Sequence, residues 1–389
     1  MTTDAPVTWP RFEADELAAA VRVLESGRVN YWTGDECRSF EREFSQYVGV
    51  KHAVALANGT VALELALWSL GIRGGEVVVP SRTFVATASA VLMQGAKPVF
   101  ADVDRESGCV TAETIEACLS PATVGVIVVH LGGWPCDMPA IVDLCRRHRL
   151  VLIEDCAQAH GAAYQGKRVG SFGDAAAFSF CQDKIMTTAG EGGMLLTDDE
   201  NLFKRAWSHK DHGKDWDLVH QADHPPGFRW LHTSLGTNWR LSEVQAAVGR
   251  VQLQKLDPWL RHRRELAALH DERLRCSPGL RVASPEAHVE SACYKHYVYV
   301  RPERLRAGWS RDRILRELSQ RNVSCASGSC SEIYLEKLFP AEMRPKERLP
   351  TARELGETSL MFLVDPTVRR EQVEQTCEAV LEVMREACR

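Results

Sequence analysis

Positive charge is not in excess in this chain: 47 Lys and Arg stand against 52 Asp and Glu, a net charge of -5. That excludes a general attraction to nucleic acid or to an anionic membrane, so any charged partner has to be bound locally. Long apolar runs are missing too, and no stretch reaches the roughly 18 residues that a membrane span requires. The opening MTTDAPVTWPRFEADEL lacks the basic start and apolar segment of a secretory signal, and the cytoplasm is the expected compartment. The thirteen cysteines are an odd number without a CxxC pair. Reduced thiols used in packing are expected.

Familiar nucleotide and metal motifs are also lacking. Residues 161 to 167, GAAYQGK, match the first positions of a P-loop, but Arg168 replaces the Mg-binding hydroxyl residue and VGSFGD does not open a helix. No GxGxxG opens a helix after a strand, so a dinucleotide fingerprint is absent. The histidines from His209 to His232, including His212, His220 and His224, follow no ligand spacing; they read as a polar loop, and no metal site is expected.

What is present is the composition of a globular protein, 45% hydrophobic and 25% charged. The length predicts two domains, a large α/β domain over 1–250 and a smaller α+β domain over 251–389. A helix is expected over 11–26, with Leu17, Val21 and Leu24 on its apolar face, and a second carries Phe40, Phe44 and Val48 on one face. From residue 53 strands alternate with helices. AVALA, EVVVP, KPVFADVD, VGVIVVHLGG, VLIEDCAQAHG, DAAAFSF and GMLLTD are seven strands, most of them joined through helices. That pattern predicts a mostly parallel seven-stranded sheet with helices on both faces. Ser242 and Gln245 form a capping box that opens a helix, which Asp257-Pro258 is expected to end before another over 259–275. A tyrosine-rich strand, CYKHYVYV, and short helices lead to a last helix striped with Val373, Cys377, Val380, Leu381 and Met384.

Three features carry chemistry. Lys184 follows the apolar strand Ala175 to Phe180, at the edge of a packed core, where burial and nearby cations turn a lysine into a nucleophile toward carbonyls. Taken alone it reads more readily as a solvated loop lysine. Asp155 ends another strand, so acid and lysine can face one crevice. ANGT joins a strand to a helix, with Thr60 as the expected cap, and offers free N–H groups to a phosphate. A Schiff-base lysine, a carboxylate for a pyridinium nitrogen and an anion site are together what pyridoxal phosphate needs.

WTGDECRSFEREFSQYVGVKHAVALANGTVALELAL, VVVPSRTFVATASAVLMQGAKPVFADVD, IEDCAQAHGA, GDAAAFSF, the lysine with GEGG, TNWRLSEVQAAVG and LPTARELGETSLMFLVDPT follow one another in this order. In these stretches the chain resembles the DegT/StrS-type sugar aminotransferases, a branch of fold type I of the pyridoxal phosphate enzymes. The resemblance implies that Lys184 is the catalytic Schiff-base lysine and Asp155 the partner of the pyridinium nitrogen. It further implies that Gln158 meets the cofactor's 3-hydroxyl, that Gly59, Thr60 and Ser179 hold the phosphate, and that Phe84 stacks on the ring. Asn238 matches an asparagine that reaches the phosphate from a neighbouring subunit, which implies a homodimer with shared active sites. The implied reaction is a ping-pong transfer of an amino group from L-glutamate or L-glutamine to a keto sugar. Cys181-Gln182-Asp183 before the lysine departs from the family's usual histidine or aromatic residue. A nucleotide-linked acceptor is expected, with Lys210, Lys214 and Arg229 as candidate partners of its diphosphate. A free keto-cyclitol is the alternative acceptor. A cofactor-binding regulator without turnover is the alternative of another class.

Overall fold

The computed structural model describes residues 8–224 and 226–388; the first seven residues of the opening stretch lie outside them. Helices α1 (Ala14–Ser26) and α2 (Glu36–Val48) precede the sheet strands β1 (His52–Leu56), β2 (Glu76–Pro80), β3 (Lys97–Ala101), β4 (Thr123–Val129), β5 (Val151–Asp155), β6 (Ala175–Ser179) and β7 (Gly193–Thr197). Their order across the sheet is β1-β7-β6-β5-β4-β2-β3. Only β7 runs antiparallel to its neighbours. The strands are short and nearly all apolar because both faces are covered. Val54, Leu56, Val77, Val79, Ile127, Ile153, Ala177 and Leu195 share a core with helices α3 (Gly59–Ser69) and α4 (Val85–Met93). The alternate residues, such as Ala55, Ala176, Phe178 and Leu196, pack with Phe40 and Phe44 of α2 on the other face.

The strands stop sooner than expected. β4 ends at Val129 and β5 at Asp155, and the tails His130–Gly133 and Cys156–Gly161 turn away from the sheet. Gly132 and Gly133 explain the first stop, since their φ of 63° and 89° lies outside any strand conformation. Because the strands from β2 to β6 are parallel, these carboxyl ends gather at one edge.

After the sheet come α5 (Glu200–Lys210) and α6 (Glu243–Leu274), the latter opened by the expected Ser242–Gln245 capping box. It does not end at Asp257-Pro258 but runs on to Leu274, so the second helix over 259–275 is its continuation. An internal proline costs about 3 kcal/mol. Buried Leu256, Leu260, Leu266 and Leu269 on both sides of it contribute about 1.5–3 kcal/mol each, which decides for one helix. Its first half belongs to the core with Phe178, its second half to a smaller core, so the 250/251 boundary falls inside a helix. That smaller core holds an antiparallel sheet of β8 (Leu280–Val282), β9 (His296–Val300) and β10 (Ser359–Phe362) and the last helix, α7 (Arg370–Ala387). Val373, Cys377, Val380 and Met384 of α7 are buried in it, whereas Leu381 is partly covered.

The expected apolar face of α1 does not point inward. Leu17, Val21 and Leu24 are about half exposed, while Ala19 and Val23 pack on Ala247 of α6. Small residues on both helices permit a close approach that a leucine face does not. None of the thirteen cysteines is in a disulfide, and most are buried or partly buried. Among the described residues no helix is long and apolar enough to cross a membrane.

Candidate active site

A cavity of about 840 Å³ opens at the carboxyl edge of the sheet, and Gly59, Thr60, Phe84, Asp155, Gln158, Ser179 and Lys184 all line it. Its far wall comes from the smaller unit, through Tyr294, Lys295 and Tyr297 and the loop Ala326–Cys330.

One end is built from backbone. The cap of α3 is Asn58, not Thr60: the Asn58 side-chain oxygen accepts the Val61 N–H at 3.0 Å. Thr60 already lies in the first helical turn, from which its hydroxyl cannot reach the groups a cap must satisfy. The N–H groups of Gly59 and Thr60 then lack intrahelical acceptors and sit at the positive end of the helix. The turn is pressed onto the sheet. A Cβ on Gly59 would lie 2.6 Å from the Ser179 Cβ, and one on Gly193 would lie 2.3 Å from the Asn58 carbonyl oxygen. Ser179 Oγ accepts the Cys181 N–H at 3.3 Å, which leaves its proton to give. Such a cradle, with two free N–H groups and a hydroxyl, fits a phosphate.

At the end of β5 the two acids diverge. Asp155 shares a face with Ile153 and turns toward α4, where Thr87 Oγ1 donates to its carboxylate at 2.8 Å and Thr83 Oγ1 lies 2.8 Å from Thr87. The Ala157 N–H donates at 3.1 Å. Burial pushes the Asp155 carboxyl up; the Thr87 and Ala157 bonds and the Lys184 charge oppose it without cancelling it. Glu154 faces the opposite way and is consumed there by the N–H groups of Gly170, Phe172 and Gly173 and by His130 Nε2 at 3.1 Å. His130 Nδ1 accepts the Cys136 N–H, so the ring proton sits on Nε2, toward the carboxylate. Burial raises the Glu154 carboxyl, but His130 and these donors outweigh it and hold the group below the usual carboxylate range.

Lys184 lies in the turn after β6, its backbone pinned by Trp9, whose indole N–H donates to the Lys184 carbonyl at 2.8 Å. Its Nζ is 3.5 Å from Asp183 and 5.3 Å from the centroid of the Tyr294 ring. Gln158 is buried and its Oε1 accepts the Gly132 N–H at 2.7 Å, leaving the amide NH2 as the free donor. Phe84, the residue before α4, is 67% exposed in the cavity wall. A flat ring therefore fits between an apolar face, a buried carboxylate and a lysine, with the phosphate cradle beside it. Asn238 does not line this cavity; it is exposed, and its backbone bridges to Asp211.

Thr83, Thr87, Asp183 and Tyr294 escaped the reading of the sequence. The i, i+4 hydroxyls of TFVAT were a usable signal for the first two; nothing local points from Asp183 to Tyr294. The cations expected for a diphosphate are elsewhere. Lys210 is buried against Glu41 at 3.1 Å, Lys214 pairs with Asp211 at 3.0 Å, and Arg229 donates to the Leu218 carbonyl. Packing of Tyr31 and Trp32 under the two ammonium groups draws them inward. The histidine-rich segment is likewise more than a polar loop: His209 stacks on Trp68 at 3.9 Å and His220 on Trp216 at 3.9 Å.

GDP-perosamine synthase of Escherichia coli O157:H7 is 32% identical over 378 residues, 97% of this chain and 98% of that protein. The dTDP-3-amino-3,4,6-trideoxy-alpha-D-glucose transaminase of Streptomyces venezuelae is 34% identical over 97% of this chain and 94% of its own. The crystal structure of an aminotransferase from Psychrobacter cryohalolentis superposes with a TM-score of 0.96 at 49% identity, covering 98% of this chain and 99% of that one. Residues 10–381 match the DegT/DnrJ/EryC1/StrS aminotransferase family. The chain belongs to that family and is a pyridoxal-phosphate-dependent aminotransferase.

Proposed function

We propose that this aminotransferase moves an amino group from L-glutamate or L-glutamine to a nucleotide-linked keto sugar, in the cytoplasm, as a homodimer with shared active sites. The observation that carries the reading is the meeting of Lys184, Asp155 and the Gly59–Thr60–Ser179 cradle in one cavity. The relatives named for GDP- and dTDP-linked compounds support the nucleotide. The exposed apolar side chains Leu17, Val21, Leu24, Phe228, Trp230 and Leu235, together with Asn238 standing outside its own chain's cavity, support a second copy.

Bound pyridoxal phosphate supplies an electron sink for the pair left when the substrate's α-proton departs. The protein does the rest. The Gly59 and Thr60 N–H groups and the Ser179 hydroxyl would hold the phosphate, joined by Asn238 of the partner subunit, and the Gln158 amide would donate to the 3-oxygen. Phe84 would pack on the ring. Asp155, oriented by Thr87, would keep the ring nitrogen protonated, since a buried carboxylate and a ring cation need each other. Lys184 Nζ anchors the cofactor and, once free, takes the proton from the donor's α-carbon and later returns one to the acceptor's carbon.

The test loads the enzyme in its amine form and follows recovery of the visible cofactor band with nucleotide-linked 3- and 4-keto sugars, free keto-cyclitols and simple 2-oxo acids. Recovery with a nucleotide-linked sugar is expected. Recovery with free cyclitols alone would move the acceptor to that class, and recovery with simple 2-oxo acids alone would sink the sugar reading. Mixing Lys184→Ala with Asn238→Asp subunits should restore some activity if the sites are shared; mixed dimers without recovery would count against sharing.

A further inference from the structure

The turn that presents Lys184 carries a second carboxylate. Asp183 Oδ1 lies 3.5 Å from Lys184 Nζ, and its other oxygen accepts the Tyr294 hydroxyl. The Asp183 side chain is about half exposed, and a carboxylate in that position gains little from an ion pair unless something fixes it. Tyr294 is itself well fixed. It is buried, and its N–H donates to the Gly132 carbonyl at 2.8 Å; the Gly132 N–H in turn donates to Gln158 at 2.7 Å. The Ala292 N–H donates to Gly133 at 2.8 Å, and a Cβ on Gly133 would lie 2.9 Å from the Cys293 nitrogen, so the segment lies flat on the loop after β4. The phenol is thus delivered from the smaller unit to a carboxylate on the larger one, and the carboxylate touches the lysine.

We propose that Asp183, clamped by Tyr294, is a positioning residue for Lys184: it is the counter-charge that faces the lysine nitrogen at the cavity wall, both as the released amine and as the cofactor-linked nitrogen that the visible band reads. This rests on Lys184 being the cofactor's lysine. Asp155 is expected to be matched to the ring nitrogen instead, its carboxylate turned toward α4 by Thr87 and Ala157. The other groups around the amine are Lys295, whose ammonium sits 4.8 Å from the Tyr294 ring, Glu191 in the cavity wall, and His160, buried among Phe44, Phe178 and Phe180. Lys295 acts against a charged Lys184, and burial keeps His160 neutral, its imidazole pushed down to about 3. The charge of Lys184, its tyrosine clamp and Lys295 together hold the Asp183 carboxyl below the usual range against the effect of its burial.

The experiment titrates the visible band of the holoenzyme against pH. Removing a negative charge beside the lysine nitrogen disfavours its cationic form, so Asp183→Asn should lower the midpoint by about one pH unit, a shift modest for a contact open to water. Asp183→Glu, which keeps the charge, should stay near the wild type. Tyr294→Phe should lower the midpoint by less, and should do nothing further once Asp183 is Asn. An unmoved midpoint in Asp183→Asn, or a Tyr294→Phe shift of the same size with and without the Asp183 carboxylate, overturns the proposal. If Asp183→Asn does not hold cofactor, the pair Asp183→Glu and Tyr294→Phe decides: a midpoint kept in the first and lowered in the second supports the clamp, and both unmoved overturns it. Lys184→Ala separates the premise from the proposal. Cofactor still fixed to that variant by borohydride would remove Lys184 as the cofactor's lysine and the clamp with it.

Discussion

Glu154 and Asp155 are neighbours on one strand, both buried, and the surroundings of each are opposite in kind. On the Glu154 side three backbone N–H groups and an imidazole converge on the carboxylate. On the Asp155 side one hydroxyl and one N–H leave it under-supplied at the wall of a cavity. The first carboxylate is saturated and serves as a structural knot between β5, the turn at Gly170–Gly173 and the loop after β4. The second still demands a partner, and a cationic ring nitrogen is what would satisfy it. Buried charge alone therefore does not mark a catalytic acid; an incomplete set of donors facing a cavity does.

The largest separation between the two sides should come from cutting each acid in turn. Asp155→Ala is expected to lower kcat by about 10²–10⁴-fold with the urea midpoint of the apoprotein nearly unchanged. Glu154→Gln should instead cost about 2–4 kcal/mol of stability, because an amide cannot accept from all four donors, and should leave the folded fraction active. Urea denaturation beside steady-state rates checks both, and a stable Glu154→Gln enzyme would erase the contrast.

pH gives a subtler separation, with opposite signs. Glu154 titrates lower in the folded than in the unfolded chain, so its stabilisation is complete above the ordinary carboxylate range and is lost as pH falls through its depressed native titration. The advantage of wild type over Glu154→Gln should shrink on acidification. Asp155 titrates higher when folded, so its ionisation opposes folding. Apoprotein Asp155→Asn should be the more stable form at neutral pH, the difference closing as pH falls through the raised titration to the ordinary range. Parallel curves for the two variants would contradict the assignment of surroundings.

The smallest effect is expected from Thr87→Val, which deprives Asp155 of its hydroxyl donor. A fall of about ten- to a hundredfold in kcat, from the roughly 1.5–3 kcal/mol of one hydrogen bond to a charged group, should appear with little loss of stability. No change in rate would mean that the hydroxyl does not orient the carboxylate.

The seven strands, their covered faces and the strand-end positions of Lys184 and Asp155 were legible in the sequence. Hydrophobic runs of strand length and glycine-bearing turns are local signals that survive without tertiary information. The misreadings arose where a contact distant in sequence overruled a local rule. Packing on both flanks carried α6 through Pro258, and small residues turned the leucine face of α1 outward.

By itself the sequence determined the α/β alternation, the phosphate-type turn and the strand-end places of Lys184 and Asp155, because each is set by the residues immediately around it. Only the tertiary structure decided that Glu154 would be saturated and Asp155 left facing a cavity. It alone also brought Tyr294, 111 positions away in the chain, onto the carboxylate beside Lys184. Hydrogen-bond supply at a strand end comes from whichever loops and helices fold over it, and the spacing of residues along the chain does not encode those long-range contacts.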